Sequence, residues 1–148
     1  MKKCVLGLTV LFIMLTSCSV DEGSGPDFSF QFMPIESVEV PQEFIHGETY
    51  TINVNYTQPN DCYEFNSFAY DVNDQERTIA VVNTVYNTGE STCPGEPALV
   101  SVGFDFTVTS TNTYVFKFYQ GGNDDGVDQY HIVEVPVTFG RQIVDPKH

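Results

Sequence analysis

The residues able to do chemistry are mostly carboxylates, and they gather in stretches of turn-forming composition. Asp61 follows Gln58-Pro59-Asn60, Glu90 and Glu96 lie within 87–97, and Asp124, Asp125 and Asp128 surround Gly121-Gly122-Asn123-Asp124-Asp125-Gly126. A hard cation such as calcium requires several carboxylate and carbonyl oxygens, which makes Asp124, Asp125 and Asp128 the candidate metal ligands. Their spacing departs from the D-x-[DN]-x-[DN]-G loop, and Gly, Asn and Asp in this order also build an ordinary hairpin turn. Asp61, Glu90 and Glu96 are candidate ligand contacts on the loops. Tyr119 joins them because the alternation of its strand turns it to the polar face. A phenol exposed in that way offers a flat ring to a sugar, as do Tyr63 and Tyr86. His131 has the chemistry of a general base, but it opens an alternating strand beside Tyr130, where a histidine is ordinarily structural. The chain has no G-x-S-x-G, no H-E-x-x-H and no Gly-rich phosphate loop. A non-enzymatic role in binding is therefore expected.

Charge narrows the choice of ligand. The 148 residues hold 20 Asp and Glu against 6 Lys and Arg, a formal net charge of −14. Nucleic acid needs a basic footprint and is excluded as a partner. Flat docking onto anionic headgroups is opposed by the same charge. Strong negative charge keeps a chain soluble and steers cationic partners toward it. Trp is absent, but 12 Phe and 8 Tyr supply bulk for a core.

The N-terminus reads as a secretory signal: Lys2-Lys3, an apolar stretch from Val5 to Leu15, then Leu15-Thr16-Ser17-Cys18. The apolar stretch is shorter than the roughly 20 residues that a membrane span takes. Leu15-Thr16-Ser17-Cys18 resembles a bacterial lipobox, the pattern recognised by lipoprotein signal peptidase. That resemblance implies a signal peptide of residues 1–17, acylation of Cys18 and attachment to a membrane through the N-terminal lipid. Each buried CH₂ contributes about 0.8 kcal/mol, so several acyl chains hold stably. All 20 carboxylates follow Cys18, so cleavage leaves four Lys and Arg and a net charge near −16. Residues 18–27 then form a lipidated flexible tether, of which Ser19–Asp27 (SVDEGSGPD) spans at most about 30 Å. Its Asp21-Glu22 pair resembles the acidic export signals of Bacteroidetes surface lipoproteins, which implies anchoring to the outer membrane and display at the cell surface.

The cysteines divide accordingly. Cys4 belongs to the signal and Cys18 to the lipid, which leaves Cys62 and Cys93 as an even pair in an oxidising compartment. A disulfide is expected, closing a loop of about 30 residues and contributing roughly 3.5 kcal/mol on the chain-entropy account. With no CxxC and only His46, His131 and His148, zinc is not expected.

Positioning falls to strands. From Phe28 onward the period is two, the mark of half-buried strands. Phe28, Phe30 and Phe32 alternate with Ser29 and Gln31, and Tyr50, Ile52, Val54 and Tyr56 alternate with Thr51, Asn53 and Asn55. Val100 to Val108, Tyr114 to Phe118 and His131 to Val137 repeat the pattern. Tyr63 and Phe65 are out of phase with Phe68, Tyr70 and Val72, which a bulge near Asn66-Ser67 reconciles. Asn73–Glu76 reads as the turn of a hairpin that brings Cys62 opposite roughly residue 87, within reach of Cys93.

Seven or eight strands in about 120 residues resemble an immunoglobulin-like antiparallel β-sandwich of residues 28–148, with a small barrel or jelly roll as the other architecture this pattern allows. Thr113-Tyr114-Val115-Phe116 after the turn at Ser110–Asn112 resembles the tyrosine corner of such domains. The resemblance implies that the Tyr114 hydroxyl bonds back to the backbone. Up-and-down alternation gathers the Gln58–Asp61, Asn87–Pro97 and Gln120–Asp128 loops at one end, where loops on a rigid scaffold commonly bind. The expected protein is a surface lipoprotein whose domain binds or adheres to a protein or glycan ligand. The rival expectation is a periplasmic inhibitor or accessory subunit for a basic protein, since charge steers such partners together.

Overall fold

The computed structural model describes residues 27–87 and 92–140. The expected signal peptide, the expected acylation site Cys18, the expected tether up to residue 26 and Glu90 lie outside the described residues. Among the described residues ten strands follow one another: β1 (Phe28–Met33), β2 (Ser37–Glu39), β3 (Phe44–Ile45), β4 (Thr49–Gln58), β5 (Tyr63–Asn73), β6 (Glu76–Tyr86), β7 (Ala98–Thr107), β8 (Tyr114–Gly122), β9 (Asp128–Val135) and β10 (Val137–Thr138). Seven of them are six residues or longer, in keeping with the sequence pattern. Among the described residues no helix is long and apolar enough to cross a membrane. The chain is an all-β sandwich.

The larger sheet is organised around β6. β5 runs antiparallel along one edge of β6, while the other edge is shared between two partners. β1 pairs antiparallel with Val81–Tyr86, and β8 pairs in parallel with Glu76–Ile79. β9 then adds antiparallel to β8. The parallel pairing follows from connectivity, because between β6 and β8 the chain crosses to the other sheet as β7 and returns. The smaller sheet is β2-β4-β7, antiparallel throughout, and β3 and β10 form a short parallel pair.

Alternation explains which residues fill the space between the sheets. Ile52, Val54 and Tyr56 on β4 and Phe106 on β7 meet Ile79 and Val81 on β6 and Tyr114, Phe116 and Phe118 on β8. Phe44 sits among four aromatic neighbours, 4.9 Å from Tyr50, 5.3 Å from Phe106, 6.0 Å from Phe116 and 6.2 Å from Tyr114 between ring centroids. Burial of each such ring stabilises the fold by about 1.5–3 kcal/mol. The opposite face of the smaller sheet is polar and paired across strands. Thr51 Oγ1 donates to Asp105 Oδ1 at 2.7 Å, and Asn55 Nδ2 donates to Ser37 Oγ at 2.9 Å.

Three local features match the sequence closely. The register of β5 against β6 slips between Phe65 and Ser67, so Tyr63 and Phe65 share the inward phase of Phe68 and Tyr70. Asn73 pairs with Glu76, with Asp74 in the left-handed region (φ 53°) completing the turn. Cys62 O accepts from Tyr86 N at 2.9 Å, and Cys62 is bonded to Cys93 with Cα atoms 5.6 Å apart.

Candidate binding site

β6 is apolar in both phases. Ile79 and Val81 face the core, while Ala80 and Val82 face the other way. Residues paired directly across two strands share a face, and β1 pairs Phe28 with Tyr86, Phe30 with Thr84 and Phe32 with Val82. The three phenylalanines therefore stand on the outer face of the larger sheet, 40%, 61% and 56% exposed. This differs from the half-buried strand that their alternation suggests. A period of two fixes that one face of β1 is apolar, but the pairing register decides which side of the sheet that face takes.

β8 and β9 extend this surface. Tyr119 pairs with Tyr130, both on the outer face. Phe32 lies 6.1 Å from Tyr119, and Tyr119 lies 6.0 Å from Tyr130, with the rings inclined at 65° and 64°. Together with Thr78 and Ala80 on β6, Ala69 and Asp71 on β5, and Asp128, these rings line a groove of about 320 Å³. Small side chains along the central strands leave the depression, and the aromatic rings make its walls. Burial pushes the Tyr119 hydroxyl above its ordinary pKa, and the nearby charge of Asp128 adds to the rise. Lys117 Nζ lies 5.0 Å from the centroid of the Tyr130 ring and 3.2 Å from Glu76 Oε1. A second hollow on the same face, lined by Phe28, Phe30, Asn66, Thr84 and Tyr86, measures about 210 Å³. Tyr86 Oη donates there to Glu64 Oε2 at 2.9 Å. A further depression, about 420 Å³, lies along the open margin of the core between β5 and β7 beside Arg77.

The candidate residues read from sequence are divided by the fold. Tyr119 and Asp128 come together in the outer groove. Asp61 is exposed on the disulfide loop, where its amide donates to Pro94 O at 3.0 Å and its carboxylate packs where a Gly95 side chain would stand. Glu96 is exposed on the same loop. Asp124 and Asp125 are exposed in a tight turn, in which Asn123 Oδ1 accepts from Asp125 N at 3.0 Å and Val127 N at 2.9 Å. Among the described residues no three His, Cys, Asp or Glu side chains gather as a metal site. Asp124, Asp125 and Asp128 are thus not gathered as a calcium cage, and the Asn123 side chain holds the turn. Tyr63 takes the inward phase and its hydroxyl donates to Gln31 Oε1 at 3.2 Å. Asn87 N donates to Asp27 O at 2.7 Å, which holds the start of β1 at the disulfide end.

Phe28, Phe30, Phe32 and Tyr130 were not among the candidates. The signal for them lies in Thr78-Ile79-Ala80-Val81-Val82, because a strand apolar in both phases has neither face fully given to water. No protein-family model, curated protein or solved structure matches the chain, so the meaning of this groove rests on its own residues.

Proposed function

We propose that this protein is a lipid-anchored surface module without enzymatic activity, which binds its ligand through the aromatic outer face of the larger sheet. The observation that supports this reading is the contrast between the two outer faces. The smaller sheet presents a ladder of Thr, Asn, Ser and Asp to water, as a solvated face should. The larger sheet presents Phe28, Phe30, Phe32 and Tyr86 at 40% exposure or more, in line with Tyr119 and Tyr130. A contiguous exposed apolar patch rimmed by polar groups marks an interaction site. The lipobox-like Leu15-Thr16-Ser17-Cys18 and the acidic tether support attachment to the outer membrane.

Two measurements on intact cells test the reading. Protease shaving should release the domain from wild-type cells and find none on the surface of Cys18→Ser cells. Phe30→Ser and Tyr119→Ser cells should display the domain normally yet lose whatever adhesion wild-type cells show over Cys18→Ser cells. Protection from protease until the outer membrane is breached would instead favour the second reading, a periplasmic inhibitor or accessory subunit for a basic protein. The net charge of −14 favours that partner class. Binding to a basic protein such as lysozyme should then weaken steeply with ionic strength.

A further inference from the structure

The inclination of the rings in the groove of Phe32, Tyr119 and Tyr130 restricts what can occupy it. A sugar ring stacks on a broad flat aromatic face, whereas Phe32, Tyr119 and Tyr130 stand at 65° and 64° to one another and form angled walls. Angled walls surround a compact group. Two carboxylates complete the lining, Asp71 from β5 and Asp128 from β9. An anionic ligand finds no free counter-charge there. Of the two Lys and Arg among the described residues, Lys117 is paired with Glu76 at 3.2 Å. Arg77 donates to the carbonyls of Asp74 and Glu76 at 2.6 and 2.9 Å. One ring of the groove already holds a cation, since the Lys117 ammonium lies 5.0 Å from the Tyr130 centroid. Aromatic faces attract cations through their quadrupole, and the attraction grows as the cation is desolvated.

We propose that the groove binds a quaternary ammonium head group, with Phe32, Tyr119 and Tyr130 as its walls and Asp71 and Asp128 as its counter-charges. Methyl groups on the nitrogen spread the charge and meet the rings, and the small Thr78, Ala80 and Ala69 admit them to the floor. The domain's overall negative charge raises the local concentration of such a ligand. The inference rests on the outer face being the binding surface, and it adds the chemical class of the ligand.

Calorimetric titration of the protein with choline chloride, and separately with 3,3-dimethylbutan-1-ol, its uncharged carbon isostere, provides the test. Choline is expected to bind with a dissociation constant of roughly 1 mM and the isostere at least about tenfold more weakly. Asp128→Asn, at an exposed position where the fold does not depend on the side chain, should weaken choline several-fold, and Tyr119→Ala should abolish saturation. Retention on phosphatidylcholine vesicles that choline competes away assigns the head group to a lipid. Choline binding without such retention assigns it to a free solute, and either result supports the site. Equal affinity for the two isosteres, or choline binding indifferent to both substitutions, overturns the proposal. If choline does not bind while Phe30→Ser cells still lose adhesion, the cation inference falls and the binding face stands; if adhesion is also unchanged, both fall.

Discussion

At Tyr114 one oxygen closes the turn between β7 and β8. The hydroxyl accepts from Ser110 N at 2.8 Å and Thr109 N at 3.2 Å, while the ring is fully buried 4.9 Å from Phe106. Tyr114→Phe keeps the ring and removes the acceptor from two backbone amides, so a urea titration should show a loss of about 1–2 kcal/mol. An unchanged midpoint would mean that water replaces the hydroxyl at no cost. A different balance holds at Asn83, which is fully buried and has no hydrogen-bond partner among protein atoms for either Nδ2 or Oδ1. The Tyr56 hydroxyl is orphaned in the same way. Burial raises its pKa, and the neighbouring Asn83 amide opposes the rise without the two groups reaching hydrogen-bond geometry. Each polar group buried without a partner costs about 1–3 kcal/mol. The double variant Tyr56→Phe, Asn83→Leu should therefore melt at a higher temperature than the wild type, and a lower one would mean that the pair is satisfied in solution.

Among the elements, β1 and β8 show how exposure rather than residue type sets the cost of a change. Both carry aromatic rings at three alternate positions, yet Phe30 is 61% exposed and Phe116 is fully buried. Phe116→Ala should cost about 3–5 kcal/mol, whereas Phe30→Ser should stay within about 0.5 kcal/mol, as surface substitutions do. Comparable losses at the two sites, measured by chemical denaturation, would show that β1 packs the other way round. The same comparison explains what was legible in the sequence. The alternation of β4 and β8, the slip at Phe65/Ser67, the Asn73–Glu76 turn and the Cys62–Cys93 bond depend on local or hairpin geometry, and each follows from nearby residues. The aromatic groove does not, because Phe32, Tyr119 and Tyr130 come from β1, β8 and β9 and meet only through the long-range pairing around β6. Tyr119 was visible alone as an outward ring, and its partners were not. The disulfide belongs to this scale as well. It ties the start of β5 to the loop carrying Gly95 and Glu96 across a separation of 31 residues. Replacing both cysteines with alanine should lower stability by roughly 3.5 kcal/mol, while thermal unfolding remains a single transition because the core lies elsewhere. A loss near zero would show that the reduced chain is already restrained.

For the molecule as a whole, charge and tyrosine chemistry act in the same direction on the alkaline side. The chain has a net charge of −14 near neutrality, and compactness concentrates that charge. The hydroxyls of Tyr56 and Tyr70 are raised above 10.0 mainly by burial, that of Tyr119 by burial and then Asp128, and that of Tyr86 by its hydrogen bond to Glu64. A raised pKa means that the folded state holds these protons more tightly than the unfolded chain does. The associated stability is complete below pH 10 and is lost as pH climbs through the raised folded values. Each phenolate formed there also adds to a charge that is already unfavourable. Thermal melts should therefore be level up to about pH 9 and then fall steeply toward pH 11, with the fall reduced by salt to the extent that it reflects repulsion between exposed charges. The part arising from Tyr56 should resist salt, because its hydroxyl is buried away from the ions that screen. In a spectrophotometric titration Tyr56, Tyr70, Tyr86 and Tyr119 should ionise above the ordinary phenol value. Ionisation of these four at the ordinary phenol value, with the fold intact, would mean that neither burial nor Asp128 and Glu64 hold those protons, and would remove the electrostatic basis for a cation-seeking outer face.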